Sequence, residues 1–152
     1  MVQGGHSQGT AMPHPPPLDT RTLTAHLRQA GFAGEVEADR ALRAAMSTDN
    51  SVYAIPPDLV VAPQDAADVV RLLQVMARPD WAQVALTARG GGTGTNGQSL
   101  NRGVILDLRR HMNRLLAVNI AEGWAEVEPG MVLDDLNERL RPHGLFFAPE
   151  TS

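Results

Sequence analysis

Apolar residues recur at helical spacing in several parts of the 152-residue chain. This spacing predicts four helices, over residues 20–30, 38–46, 66–76 and 133–140. Either Asp19 or Thr20 can cap the first helix, and its apolar stripe ends just before Gly31. On the third helix, Val69, Leu73 and Met76 are expected to form the stripe that faces the core.

Shorter apolar runs and alternating positions predict extended segments between these helices. The segments cover residues 52–55, 59–61, 84–89, 104–108, 116–120, 125–127 and 145–148. The turn at Glu122 and Gly123 is expected to join two of them into a hairpin. The first 18 residues are rich in Gly, Gln, His and Pro, which predicts a disordered leader before an ordered part over residues 19–152.

The composition removes several classes of function. Hydrophobic residues make up 43% and charged residues 20%, which is typical of a globular domain. The net charge of −4 argues against nucleic-acid binding. The lack of cysteine excludes disulfides and thiolate metal sites within this chain, and no other metal site is predicted. No apolar run is long enough to cross a membrane and no signal peptide is evident, so we expect a cytoplasmic protein.

A glycine-rich stretch over residues 89–99 is the strongest indication of chemistry. It holds five glycines in eleven residues and lies between two predicted strands. Glycine lets backbone N–H groups approach an anion closely because it has no Cβ. We therefore predict that the stretch binds a diphosphate mainly through its main chain. The chain has no lysine that could assist.

Two better-known phosphate motifs fit this stretch less well. Residues 92–97 match G-x-G-x-x-G, but only six residues separate Gly97 from the next strand, too few for the helix that a Rossmann fingerprint requires. Residues 92–99 nearly match a P-loop, with Gln98 in place of the lysine. A glycine-rich surface hairpin without a ligand remains the alternative.

The candidate diphosphate contacts come from the stretch itself: Gly90, Gly91, Gly92, Thr93, Gly94, Thr95, Gly97 and Ser99. The threonine and serine hydroxyls add donors to the backbone N–H groups. Arg89 has two equally good interpretations, because it can pair with a phosphate or with Asp107 on a neighbouring strand.

Several stretches together resemble the flavin-linked oxidases of the vanillyl-alcohol oxidase type, which carry a PCMH-type FAD-binding domain. They cover residues 49–53, 60–63, 65–69, 89–94, 107–114, 127–130 and 147–152. The glycine stretch and residues 110–114 are most similar to the bacterial branch that joins a flavin domain to an iron–sulfur domain. That branch oxidises D-2-hydroxy acids such as D-2-hydroxyglutarate or D-lactate.

The resemblance implies an α+β fold: the first subdomain of the FAD-binding domain and only the start of the second. It implies non-covalent FAD, since Thr93 and its neighbours offer no nucleophile to attach a flavin. It also implies that Pro149 and Glu150 approach the flavin. No catalytic residue carries over, and any iron–sulfur cluster belongs to a part that this sequence lacks.

The sequence ends directly after an apolar run, so we expect it to be the N-terminal piece of a longer protein that takes a small 2-hydroxy acid. Two other functions remain open. The chain can be a remnant that has the fold but no activity, or, less in keeping with the spacing, a Rossmann-type dinucleotide-binding protein.

Overall fold

A computed structural model of the protein describes residues 17–149. Residues 1–16 and 150–152 lie outside that range, and with them most of the predicted leader and Glu150. Leu18, which the sequence assigned to the leader, packs against the core, and its N–H donates to the Asp58 carboxylate over 3.3 Å. The ordered part therefore begins before residue 19.

Four α-helices and six strands follow one another along the described chain. The helices are α1 (Thr20–Gln29), α2 (Arg40–Ala45), α3 (Ala66–Met76) and α4 (Leu133–Leu140). The strands are β1 (Glu35–Glu37), β2 (Leu59–Ala62), β3 (Leu86–Arg89), β4 (Val104–Asp107), β5 (Leu115–Asn119) and β6 (Trp124–Val127). The mixture confirms the predicted α+β class, and all four predicted helices are present.

A four-stranded sheet in the order β1-β2-β4-β3 forms the centre of the fold. Strands β2, β3 and β4 are parallel, while β1 runs antiparallel to β2. All residues of β2 and β4 are buried, as the apolar run of β2 and the three apolar residues that open β4 lead one to expect of strands in the middle of a sheet; Asp107, which ends β4, is a buried carboxylate. The carboxyl ends of the three parallel strands therefore meet at one edge, where open α/β sheets bind ligands.

Helices α1 and α3 pack on one face of the sheet. Leu23 and Leu27 of α1 meet Leu72 and Val75 of α3 in a cluster that also holds the inward side chains of β2 and β4. Asp19 caps α1 by accepting a hydrogen bond from the Thr22 N–H. Strands β5 and β6 form the predicted hairpin beside this sheet, joined through the turn at residues 120–123.

Several details of the prediction are wrong. Of the predicted stripe of α3, Met76 is buried and Val69 is partly buried against the core, but Leu72 and Val75 take the place of Leu73, because the helix is rotated to bury Asp68 as well. Leu73 is half exposed. The segments over residues 52–55 and 145–148, predicted to be extended, pair with no strand of either sheet; in the first, Ala54 forms an isolated bridge with Thr48. Strand β1 was missed because it is short and two of its residues are charged.

Within residues 17–149, no helix combines the length and the hydrophobicity needed to cross a lipid bilayer. The cytoplasmic location stays a prediction.

Candidate functional site

The glycine stretch connects the carboxyl end of β3 to the start of β4, which is the neighbouring parallel strand. The connection covers residues 90–103 and contains no helix. A Rossmann fingerprint needs a helix N-terminus at this point. The strand–loop–strand arrangement that the sequence predicted is thus present, and the Rossmann alternative lacks its main structural requirement.

The backbone N–H groups of residues 90–95 form the main feature of the loop. No residue in the described range 17–149 accepts a hydrogen bond from any of these six groups. The residues that carry them are exposed or half-buried. Consecutive N–H groups in this state are what main-chain anion sites present to a ligand. The loop therefore offers donors that residues 17–149 do not use.

Arg89 precedes these glycines, and its guanidinium is turned back into the protein. The residue is only 8% exposed. Its Nη2 donates to the carbonyl of Thr48 over 2.8 Å, and its Nη1 lies 3.4 Å from both the Met46 carbonyl and the Ser99 hydroxyl. The carboxylate of Asp107 accepts from Arg109 N–H rather than from Arg89. The predicted pairing of Arg89 with Asp107 is therefore wrong.

Two features of the loop require glycine at position 92. Its φ is +69°, in the left-handed region that favours glycine. A Cβ at this position would lie 2.3 Å from Nη2 of Arg89. The loop main chain therefore packs directly against the Arg89 guanidinium, and a side chain at residue 92 would displace that group.

Ser99 is buried at the end of the loop and acts inside the protein. Its hydroxyl donates to Oδ2 of Asp49 over 3.2 Å and accepts from Arg89. The other carboxylate oxygen of Asp49 accepts from the Ser51 N–H over 2.8 Å. Bonds from the Ser51 hydroxyl and N–H, from Ser99, and the nearby charge of Arg89 lower the pKa of Asp49, although partial burial opposes them. Asp49 is therefore an anion at neutral pH.

Residues 46–51, which we call the strap, run behind the glycine loop. Asn50 donates from its main chain to the Gly94 carbonyl over 3.1 Å and from Nδ2 to the Thr93 carbonyl over 3.4 Å. Beyond the strap, the ring of Tyr53 covers Gly97, whose φ is +73° and whose Cβ would lie 2.9 Å from the ring. No residue of the strap was predicted to be part of the site.

The opposite side of the loop meets residues 128–130. A Cβ on Gly90 would lie 3.9 Å from the Pro129 carbonyl. Glu128 is buried and accepts from Nε and Nη2 of Arg114 over 3.1 and 2.6 Å, and from the Arg114 N–H. These contacts with Arg114 lower the pKa of Glu128. The ion pair fixes the segment that borders the loop.

Pro149 and Glu150, the remaining predicted flavin contacts, are not brought to the loop by any described contact. Pro149 is exposed at the end of the segment that follows α4. Glu150 lies outside the described residues. Asn137 of α4 holds that segment by bonding both the N–H and the carbonyl of Phe147. The roles of Pro149 and Glu150 stay predictions.

Residues 57–152 match the family profile described as "FAD binding domain". The match begins at Pro57, two residues before β2, and includes the whole glycine loop. It covers well over half of the chain.

The similar proteins include D-2-hydroxyglutarate dehydrogenases. That of Pseudomonas putida is 54% identical over 126 residues, which is 83% of this chain and 12% of that protein. The Escherichia coli protein of the same name is 50% identical over 126 residues, with the same two coverages. Glycolate oxidase subunit GlcD of Bacillus subtilis is 30% identical over 101 residues, covering 66% of this chain and 21% of that subunit. The chain therefore spans only 12% of the length of the two dehydrogenases.

Solved structures share the fold at lower identity. An alkyldihydroxyacetonephosphate synthase superposes with a TM-score of 0.71 at 23% identity, over 88% of this chain and 27% of that one. The 6-hydroxy-D-nicotine oxidase of Arthrobacter nicotinovorans superposes with a TM-score of 0.63 at 24% identity, over 76% of this chain and 25% of that one.

Proposed function

This chain belongs to the family of FAD-binding domains, and we propose that its glycine loop binds the FAD diphosphate through the backbone N–H groups of residues 90–95. The observation that carries the proposal is that these six donors have no acceptor within residues 17–149. A hydrogen bond to a charged acceptor contributes about 1.5–3 kcal/mol, so a few of them can hold a diphosphate without lysine.

The remaining loop residues divide into two groups. The Thr93 and Thr95 hydroxyls are exposed and available to add to the N–H groups, while Gly97 keeps the end of the loop close to Tyr53. Arg89 and Ser99 act behind the loop, because both Nη atoms of Arg89 and the Ser99 hydroxyl are already bonded to protein partners. Binding is non-covalent, since no histidine stands among residues 89–99 to attach a flavin.

We propose further that the natural protein dehydrogenates a D-2-hydroxy acid, with D-2-hydroxyglutarate the first candidate. The support is the similarity to dehydrogenases of that substrate at 54% and 50% identity. FAD, when bound, supplies the acceptor for the hydride equivalent from the hydroxyl-bearing carbon. The role of this chain is to bind and orient the cofactor. We propose no residue of this chain for the substrate pocket or for an iron–sulfur cluster.

Replacing Gly91 by alanine tests the proposal, because this glycine leaves room for a methyl group. Its φ is not in the left-handed region, and the nearest atom to an added Cβ is a Thr93 methyl at 3.5 Å. The protein alone therefore tolerates the change, whereas a diphosphate on the adjacent N–H groups does not. We expect the apoprotein to keep its melting temperature and FAD affinity to fall at least about tenfold. Flavin fluorescence titration of the natural protein measures that affinity.

The control away from the loop is Gly123→Ala on the β5–β6 turn, where no atom lies within 4 Å of the added methyl, although its φ of +70° costs some stability. We expect it to leave FAD affinity unchanged. A Gly91→Ala protein that binds FAD as tightly as the wild type, or a wild type that binds none, would contradict the proposal. Purified natural protein that binds FAD but oxidises no D-2-hydroxy acid would leave only the binding function.

A further inference from the structure

Asn50 is the point at which the strap grips the glycine loop. Its main-chain N–H donates to the Gly94 carbonyl over 3.1 Å, and its side-chain Nδ2 to the Thr93 carbonyl over 3.4 Å. Both acceptors are consecutive carbonyls of the loop whose N–H groups have no acceptor within residues 17–149. A single residue therefore fixes two adjacent peptide units.

The direction of those peptide units decides where their N–H groups point. In a trans peptide, the C=O and the N–H of the same unit point in opposite directions. The Thr93 carbonyl shares its unit with the Gly94 N–H, and the Gly94 carbonyl shares its unit with the Thr95 N–H. Because Asn50 holds both carbonyls on the strap side, both N–H groups point away from the strap and towards the open side of the loop.

The strap is itself fixed by buried polar contacts. Arg89, which is 8% exposed, donates to the Thr48 carbonyl, and the Ser99 hydroxyl joins Arg89 to the carboxylate of Asp49. The chain neighbours immediately before Asn50 are thereby anchored to the ends of the same loop, at residues 89 and 99. Asn50 is exposed, but its place is determined by this frame.

From these contacts we infer that Asn50 is a positioning residue for diphosphate binding, which pre-orients the Gly94 and Thr95 N–H groups. The inference rests on the proposed function and adds a residue to it. Arg89, Ser99 and Asp49 act through Asn50, because they hold the strap rather than the ligand. An oriented row of donors binds an anion without the ordering cost that a free glycine loop would carry.

Asn50→Ala in the natural protein removes the Nδ2 donor and keeps the main-chain bond. We expect FAD and ADP, both of which carry a diphosphate, to bind about fivefold more weakly, as for the loss of one neutral hydrogen bond. Asn50→Asp replaces the Nδ2 donor with a second acceptor that faces the Thr93 carbonyl. We expect this variant to bind FAD and ADP more weakly than Asn50→Ala does. Fluorescence titration measures FAD, and competition against FAD measures ADP.

Asn113→Ala is the matched control, since Asn113 also donates from Nδ2 to one main-chain carbonyl, that of Arg109, over 3.0 Å. If Asn50 had only a structural role, as Asn113 does, each variant would lose ligand affinity only in proportion to the fall in the melting temperature of its apoprotein. Positioning predicts similar melting temperatures and weaker FAD and ADP binding by the Asn50 variant alone. Equal affinities in the Asn50→Ala and Asn113→Ala proteins, with a wild type that binds FAD, overturn this inference but not the proposed function. A wild type that binds neither ligand overturns both.

Discussion

Two places in this fold gather several backbone N–H groups, and they differ in what those groups bind. In the first, the N–H groups of Ala33, Gly34 and Gln64 donate to the carboxylate of Asp68 over 3.0, 2.8 and 3.1 Å. In the second, the N–H groups of residues 90–95 find no acceptor anywhere in the described chain. The first site contains its own anion, and the second is open to one from outside.

The difference shows how one kind of main-chain chemistry serves structure or binding. Asp68 is fully buried, and burial alone would raise its pKa. The bonds from the three N–H groups and from Arg71 outweigh burial, so the pKa of Asp68 is lowered and it remains charged. Glycine makes both sites accessible: a Cβ on Gly34 would lie 2.1 Å from the Ala62 carbonyl. At Gly34 the missing side chain lets two backbone segments pack closely, whereas residues 90–95 are exposed or half-buried and their N–H groups can be reached from solvent.

The largest effect is expected from Asp68→Asn, which takes the anion out of the filled site. An amide offers one acceptor oxygen and brings its own donors against the three N–H groups and Arg71. We expect the free energy of unfolding to fall by about 3 kcal/mol, because buried N–H groups lose a charged acceptor. Chemical unfolding at neutral pH measures this loss.

The pH profile and a surface variant test the same point. Because the pKa of Asp68 is lowered, its contribution is complete above the ordinary aspartate value of about 3.9 and disappears as pH falls through its lowered value. That acid-dependent loss should be absent from Asp68→Asn. Glu126→Gln removes an exposed carboxylate from β6 and should change stability by less than about 0.5 kcal/mol. Equal losses in the two variants would show that the filled site is not a structural requirement.

The position of Asp68 explains why the sequence predicted α3 but not the face that it buries. The cap at Asp65 and the apolar run after it are local features, and they define the helix. Which residues face inward depends on the N–H groups of Ala33 and Gly34, more than thirty positions earlier in the chain. A polar residue within an apolar helix is ordinarily assigned to the surface. Only the tertiary contact reverses that assignment.

Gly92→Ala is expected to have the next largest effect, and Gly123→Ala separates its two causes. The φ values are +69° and +70°, so both variants meet the same backbone penalty of about 1–2 kcal/mol. Only at residue 92 does the methyl group meet another atom, Nη2 of Arg89 at 2.3 Å. We expect Gly92→Ala to lose FAD affinity by at least about tenfold, with a stability loss beyond that of Gly123→Ala. Fluorescence titration measures the FAD affinity of both variants, and chemical unfolding measures their stability. Equal FAD affinities and equal stabilities would show that the packing of the loop on Arg89 contributes to neither.

The loop itself could be found from the sequence because its signal is local: five glycines between two apolar strands. The roles of Arg89 and Ser99 could not be found from the sequence. Both have donor groups that suit a phosphate, and the strap that occupies them instead lies about forty to fifty residues away in the sequence. Asn50 was overlooked for the same reason. The turn-forming residues around it are visible in the sequence, but the loop carbonyls that they bond are not.

The smallest effect is expected where a carboxylate is held by side chains near the surface. Glu35 accepts from His111 Nε2 over 2.7 Å and pairs with Arg110, and its side chain is 38% exposed. The bond to His111 and the contact with Arg110 lower the pKa of Glu35. Its contribution is therefore complete above the ordinary glutamate value of about 4.3 and is lost as pH falls through the lowered value. We expect Glu35→Gln to cost less than about 1 kcal/mol at neutral pH, because water screens an exposed pair. Chemical unfolding at neutral and acidic pH should show the gap between wild type and variant closing on acidification. If Glu35→Gln lowered the free energy of unfolding as much as Asp68→Asn does, burial and main-chain donors would not make a carboxylate more important for the stability of this fold.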